Sequence, residues 1–203
     1  VTACQKMEGG KLVPNDTASV IDLSNPRNPR VIQTLQTGHQ PGGVSISPNG
    51  RLALIANGQD NSVSVFSIAG KTLTAAGTVT LPDKSGPSDV VFTPNGKTAI
   101  AVGRGNSTML VLAVDGSHVT YTGRSFEPGR TPYGAVVTHD GKYVINTNLG
   151  GATPPPGSPP PGRGARRAGT ISMSDIATGK VVQSVEVGPT PEHVTMSGDG
   201  KYI

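Results

Sequence analysis

Glu192 and His193 stand side by side near the C-terminal end of the sequence. An imidazole beside a carboxylate is a simple general acid–base pair, suited to opening a lactone or an ester. Arg130 adds a cation that could hold a substrate carboxylate or phosphate. These residues fall at corresponding places around four prolines, Pro41, Pro87, Pro132 and Pro191. The residue after the proline is Gly42, Ser88, Tyr133 or Glu192, and the next is Gly43, Asp89, Gly134 or His193. Two positions before the proline stand His39, Ser85, Arg130 and Pro189. Polarity and charge vary here while the frame repeats, as a site grafted onto a repeated scaffold would, and as drifting loops also would. The candidate ligand contacts are therefore His39, Asp89, Arg130, Tyr133, Glu192 and His193. Arg104 and Lys84 are expected on the same face, where three cations would favour an anionic ligand. Adjacent strand residues point to opposite sides, so only one of Glu192 and His193 should see a common space. His118 and His139 sit at or just after turns and read as exposed.

The elements that position these residues come from an internal repeat. Segments 39–57, 85–103, 130–148 and 189–203 align on the turn glycines Gly50, Gly96, Gly141 and Gly200, spaced 46, 45 and 59 residues apart. The last interval returns to about 45 once the Pro-rich stretch 150–168 is set aside. Each copy reads as a β-meander. A short apolar run such as Val44-Ser45-Ile46-Ser47 leads into Asn-Gly or Asp-Gly, which supplies the positive φ of a type I′ hairpin turn. A second strand, a polar loop, a third strand (62–68, 108–113, 170–174) and a fourth (31–36, 73–81, 119–126, 181–187) complete the unit. Four antiparallel strands repeated every 45 residues or so define propeller blades, and an all-β fold is expected. The expected division is a partial blade over 1–37, blades over 38–81, 82–126 and 127–187, and the first strand of another over 188–203. Val44, Ile46, Leu54, Val90, Phe92, Ile100, Val136, Val144, Ile145 and Val194 should be mostly buried between blades.

The pattern Ser47-Pro-Asn-Gly-Arg-Leu-Ala-Leu-Ile-Ala-Asn57, followed by Asn61-Ser-Val-Ser-Val-Phe-Ser-Ile68, resembles the YVTN-type propeller repeat. It is also similar to the lactonase-like seven-bladed propellers, which include the bacterial 6-phosphogluconolactonase family. The resemblance covers about residues 18–203 and is specific for the fold superfamily rather than for an activity. It implies a seven-bladed ring on the order of 300 residues, of which this sequence reads as a part. It implies a ligand face where the loop leading into the first strand and the loop between the second and third strands meet at the central channel. Lactonase-like propellers often place an arginine after the lead-in proline, where this sequence has Gly42, Ser88, Tyr133 and Glu192. That departure favours a propeller binding a ligand or protein partner at this face over its alternative, a hydrolase of a small anionic lactone.

Composition bounds the remaining classes. The single Cys4 excludes an internal disulfide, a Cys-x-x-Cys site and Cys-x-x-Cys-His haem attachment. The 17 basic and 13 acidic residues leave a net charge of +4 with no dense basic stripe, so no nucleic-acid partner is expected. No apolar run is long enough for a membrane-spanning helix. No cofactor or metal ligand set is visible, and no nucleotide or nucleophile-elbow motif occurs. The resemblance weakly favours a bacterial periplasmic or secreted setting. The 150–168 stretch, rich in Pro and Gly, is expected to be irregular and exposed, because proline rings remove ladder donors.

Overall fold

The computed structural model describes residues 2–8, 11–150 and 168–203. All of its regular elements are strands: β1 (Thr2–Glu8), β2 (Lys11–Asp22), β3 (Arg30–Gln36), β4 (Pro41–Ile46), β5 (Leu52–Asn57), β6 (Ser62–Ala69), β7 (Thr72–Thr80) and β8 (Pro87–Phe92), then β9 (Thr98–Gly103), β10 (Thr108–Asp115), β11 (His118–Phe126), β12 (Pro132–Val137), β13 (Tyr143–Asn148), β14 (Gly169–Asp175) and β15 (Val181–Val187). They form a three-stranded sheet, β1-β2-β3, and three four-stranded blades, β4–β7, β8–β11 and β12–β15. Each pairs consecutive strands antiparallel, as short β-branched runs between turns require. Nearly all of the 150–168 stretch lies outside the described residues.

The hairpins between the first two strands of each blade share one face but differ from the expected type I′. In the first, the Gly50 amide donates to the Ser47 carbonyl at 2.8 Å, and Gly50 has φ +69° while Asn49 is not left-handed. Pro48 fixes its own φ near −65°, which a type I′ turn forbids. The result is a type I turn closed by a left-handed glycine. Ser47 Oγ and the Arg51 amide both donate to Asn49 Oδ1, and Thr93/Asn95, Thr138/Asp140 and Ser197/Asp199 repeat the arrangement. Successive turns touch: a Cβ on Gly96 would lie 3.5 Å from Pro48, and one on Gly141 3.4 Å from Pro94.

The core is the set of seams between sheets. Leu54, Val63 and Val65 of the first blade meet Val90, Ala101, Leu110 and Leu112 of the second. Ile100, Val102 and Met109 meet Ala135, Val137 and Val144 of the third. Ala18, Val20 and Leu35 meet Ala53, Ile55 and Phe66. Fully burying one such aliphatic side chain stabilises by about 1.5–3 kcal/mol.

Of the ten expected core residues, Leu54, Val90, Phe92, Ile100, Val144 and Ile145 are buried, and Val44, Val136 and Val194 are half-buried. Ile46 is 45 % exposed, against expectation. Its register partner Ala53 faces the first sheet, and that sheet has no strand inboard of β1 for Ile46 to rest on. Phe92 and Val137, at the same place in the next two blades, each have a full blade beside them and are buried. Residues 188–203, read as a first strand, keep the turn (the Gly200 amide donates to Ser197, the Ser197 amide to Tyr202) but form no strand. No second strand lies beside them to complete a ladder.

The seam between the second and third blades is partly polar. Asn146, Ser172 and Ser174 occupy the places that Ile55, Ser64 and Phe66 hold in the first blade. All three are buried, and Asn146 Oδ1 and Ser174 Oγ have no hydrogen-bond partner.

Candidate functional site

Each lead-in loop follows one plan. The residue before its proline is left-handed: Gln40 (φ 57°), Gly86 (φ 46°), Thr131 (φ 53°) and Thr190 (φ 56°). At three seams its amide donates to a side chain at the start of the preceding blade's third strand or the matching place in β2. Gln40 N donates to Asp16 Oδ1 at 3.2 Å, Gly86 N to Asn61 Oδ1 at 2.9 Å and Thr131 N to Ser107 Oγ at 3.0 Å. These clasps fix each loop against its neighbour. The corresponding place in the third blade is Gly169, which has no side chain to offer.

Beyond the proline, the ladder is interrupted in every blade, between Pro41 and Val44, Pro87 and Asp89, and Pro132 and Ala135. Gly42-Gly43, Ser88 and Tyr133-Gly134 therefore fall out of the ladder, while Asp89 is paired with Val102. Ser88 Oγ donates to the Tyr133 carbonyl at 2.7 Å, and Thr147 Oγ1 to the Glu192 carbonyl at 2.6 Å. Glycines allow this close approach: a Cβ on Gly42 would lie 2.7 Å from the Ser88 carbonyl oxygen.

Three of the six candidates are brought together here. Asp89 is half-buried, with Oδ1 accepting from the Val90 amide at 2.8 Å and Oδ2 from the Ala135 amide of the next blade at 3.1 Å. Burial pushes its carboxyl pKa up, against the two amides and the nearby His193, which favour the carboxylate. Tyr133 meets the His193 ring edge to face, with centroids 5.4 Å apart and planes at 74°. Arg104 lies over the Tyr133 ring, its Cζ 5.2 Å from the centroid. The β9–β10 loop holds Arg104 there: Gly105 N donates to the Ser85 carbonyl at 2.8 Å and Arg104 N to Val102 at 3.0 Å.

Arg104 and Tyr133 line a cleft of about 440 Å³ between three consecutive lead-in loops, with Gln40, Ser88 and Thr131 contributing polar groups. Gly58 and Gly105, from loops between second and third strands, complete it, so both loop sets share one face. Arg104 is the charged residue of the lining.

The other three candidates stand apart. His39 is exposed and bonds Asp16 across the first seam, Nδ1 to Oδ2 at 2.6 Å. Arg130 is exposed, and its backbone carbonyl accepts from Gly150. Glu192 is also exposed and engages only its carbonyl, while His193 turns to Tyr133, so the pair does not act on one space. His118 and His139 are exposed as expected. The clasp residues Asp16, Asn61 and Ser107 were not foreseen. Their signal was a constant spacing of 24 or 25 residues to the lead-in loop, carried by three different residue types. Among the described residues no three His, Cys, Asp or Glu side chains gather as a metal ligand set.

The architecture is that of consecutive β-propeller blades. No protein-family model matches the sequence, and no curated protein is detectably similar to it. Solved structures do share the fold. A Bacteroides uniformis protein provisionally described as a 6-phosphogluconolactonase superposes with a TM-score of 0.71 at 18% identity, over 98% of this chain and 61% of that one. The periplasmic gluconolactonase of Pseudomonas aeruginosa gives 0.67 at 19% identity, over 91% and 55%. The Cps50 (Swd1) β-propeller domain of Myceliophteria thermophila gives 0.60 at 12% identity, over 84% and 50%. This chain thus spans roughly half to three-fifths of the length of the propellers it resembles, and the likeness is one of β-propeller fold.

Proposed function

We propose that this chain is a propeller scaffold that binds a small anionic molecule in the lead-in-loop cleft, with Arg104 as the anion contact and Tyr133 as a flat platform. The observation that carries the reading is the Arg104 guanidinium held over the Tyr133 ring at the wall of a cleft built by three blades. Its volume suits a small-molecule site, and a guanidinium fixed on an aromatic face pairs readily with a carboxylate or phosphate. Two of the similar structures carry gluconolactonase names, so gluconate and 6-phosphogluconate are the first anions to try. Calorimetric titration of the purified chain should detect one of them and not glucose. Arg104→Gln should weaken that binding about tenfold or more, the loss of one charge-assisted contact. Equal binding of glucose, or unchanged binding by Arg104→Gln, would overturn the reading.

A second reading, lactone hydrolysis, draws on the closeness of Asp89, with its raised carboxyl pKa, to His193. It requires turnover of glucono-δ-lactone above the uncatalysed rate, lost in Asp89→Asn and in His193→Ala. Spontaneous-rate hydrolysis in the presence of the chain would leave binding as the function.

A further inference from the structure

Three seams carry the same clasp, but only one is built from ionisable groups. Asn61 and Ser107 are neutral, and the residues beside the amides that donate to them, Ser85 and Arg130, include no titrating partner for them. At the first seam Asp16 accepts from the Gln40 amide through Oδ1 and from His39 Nδ1 through Oδ2. The His39 amide in turn donates to Asp60 Oδ2 at 2.7 Å, so two carboxylates on different elements hold this residue, Asp16 by its ring and Asp60 by its backbone. Among the described residues, Asp16 of β2 and Asp60 of the β5–β6 loop are the charged groups that face it. Gln40 is also a wall of the cleft.

We propose that His39, Asp16 and Asp60 form a proton-operated latch that tightens the first seam when the imidazole is charged and thereby steadies the Gln40 wall. A neutral imidazole can still donate one hydrogen bond to Asp16, but it loses the Coulomb attraction to both carboxylates. Those carboxylates raise the His39 pKa above its ordinary 6.5, the Asp16 bond contributing most. The sign follows: the added stabilisation is complete below 6.5 and is lost as pH rises through the higher folded value. His39 is well exposed, so the effect is that of a surface pair, modest and screened by salt. This inference concerns the seam and stands whether or not the cleft binds an anion.

The test is hydrogen exchange of the full chain at low salt, at pH 5.5 and 8.5, corrected for intrinsic rates. In the wild type, protection of peptides covering 37–46 should fall about two- to fivefold more between the two pH values than protection of 84–88, the loop of a neutral clasp that stops short of Asp89. Asp16→Asn, which copies Asn61, should keep the Gln40 amide protected but lose the pH dependence. His39→Ser, which copies Ser85, should lose it too. Proton NMR should show the His39 midpoint falling in Asp16→Asn, because the Asp16 bond is the largest cause of its rise. Equal pH dependence at both seams, or a His39 midpoint unmoved by Asp16→Asn, would overturn the latch.

Discussion

Gly43→Ala tests the packing that places Asp89. Gly43 does not have positive φ, so an alanine there meets no backbone strain and its effect is purely steric. A Cβ built on it would lie 2.7 Å from Asp89 Cγ and 2.8 Å from Asp89 Cα. Carbon atoms rest at about 3.5–4.0 Å, so β4 and β8 must part by roughly 0.7 Å or more, since rotating the carboxylate relieves Cγ but not the backbone carbon. Overpacking of this kind costs about 1–3 kcal/mol. It also drags the Asp89 carboxylate from the Val90 and Ala135 amides. Urea unfolding followed by far-ultraviolet circular dichroism reads the cost, the chain having no Trp for fluorescence. Gly50→Ala is the control, because Gly50 has φ +69° and open space around it and so carries only backbone strain, about 1 kcal/mol. In an Asp89→Ala background the cost of Gly43→Ala should shrink but persist, since the clash with the main chain of residue 89 is still there. A Gly43→Ala midpoint within about 0.5 kcal/mol of wild type would refute the claim that these inner strands touch through a glycine.

Asp89→Asn should gain on the wild type as pH rises. Burial raises the carboxyl pKa, so folding favours the protonated form, and the wild type loses stability from the ordinary value of 3.8 upward through the folded value. Thermal melts of both between pH 4 and 7 check this, and a difference that is flat or of opposite slope contradicts it. Ser174→Ala should leave stability unchanged or raise it by about 1 kcal/mol, because it deletes a buried hydroxyl with no partner. A clear fall in its urea midpoint would mean that the hydroxyl is satisfied in solution.

The blades could be read from the sequence because every level agrees there: turn residue, strand alternation and repeat period name the same units. The turn geometry was misread because Asn-Gly taken alone favours one hairpin, whereas Pro48 one residue earlier forbids it. Ile46 was misassigned because alternation tells which side of a strand is apolar but not whether a neighbour covers that side. Asp89, Tyr133 and His193 come near one another because each follows a lead-in proline at matching places in successive repeats, a spacing the sequence shows. Arg130 and Glu192 occupy the same frame, yet their long side chains extend into solvent, a choice that no spacing reveals. His39 was grouped with the ligand contacts by its place two before Pro41, and its partner Asp16 gave no signal, lying 23 residues upstream in a stretch where the repeat pattern is weak.

The clasps shift the unit of cohesion away from the unit of pairing. A sheet such as β4–β7 is complete in its ladders, yet excising it leaves Asn61 without the Gly86 amide that it holds. A length of chain running from Asn61 to Asn106, with two outer strands of one sheet and two inner strands of the next, keeps its fastening internal. For grafting or duplication the transferable cassette therefore begins at a third strand, and the joint between cassettes is the loop after the second. The 150–168 insertion falls at that joint, immediately before Gly169, the one such position occupied by glycine. Sequence added between Gly150 and Ala168 would enter outside every ladder of the described residues.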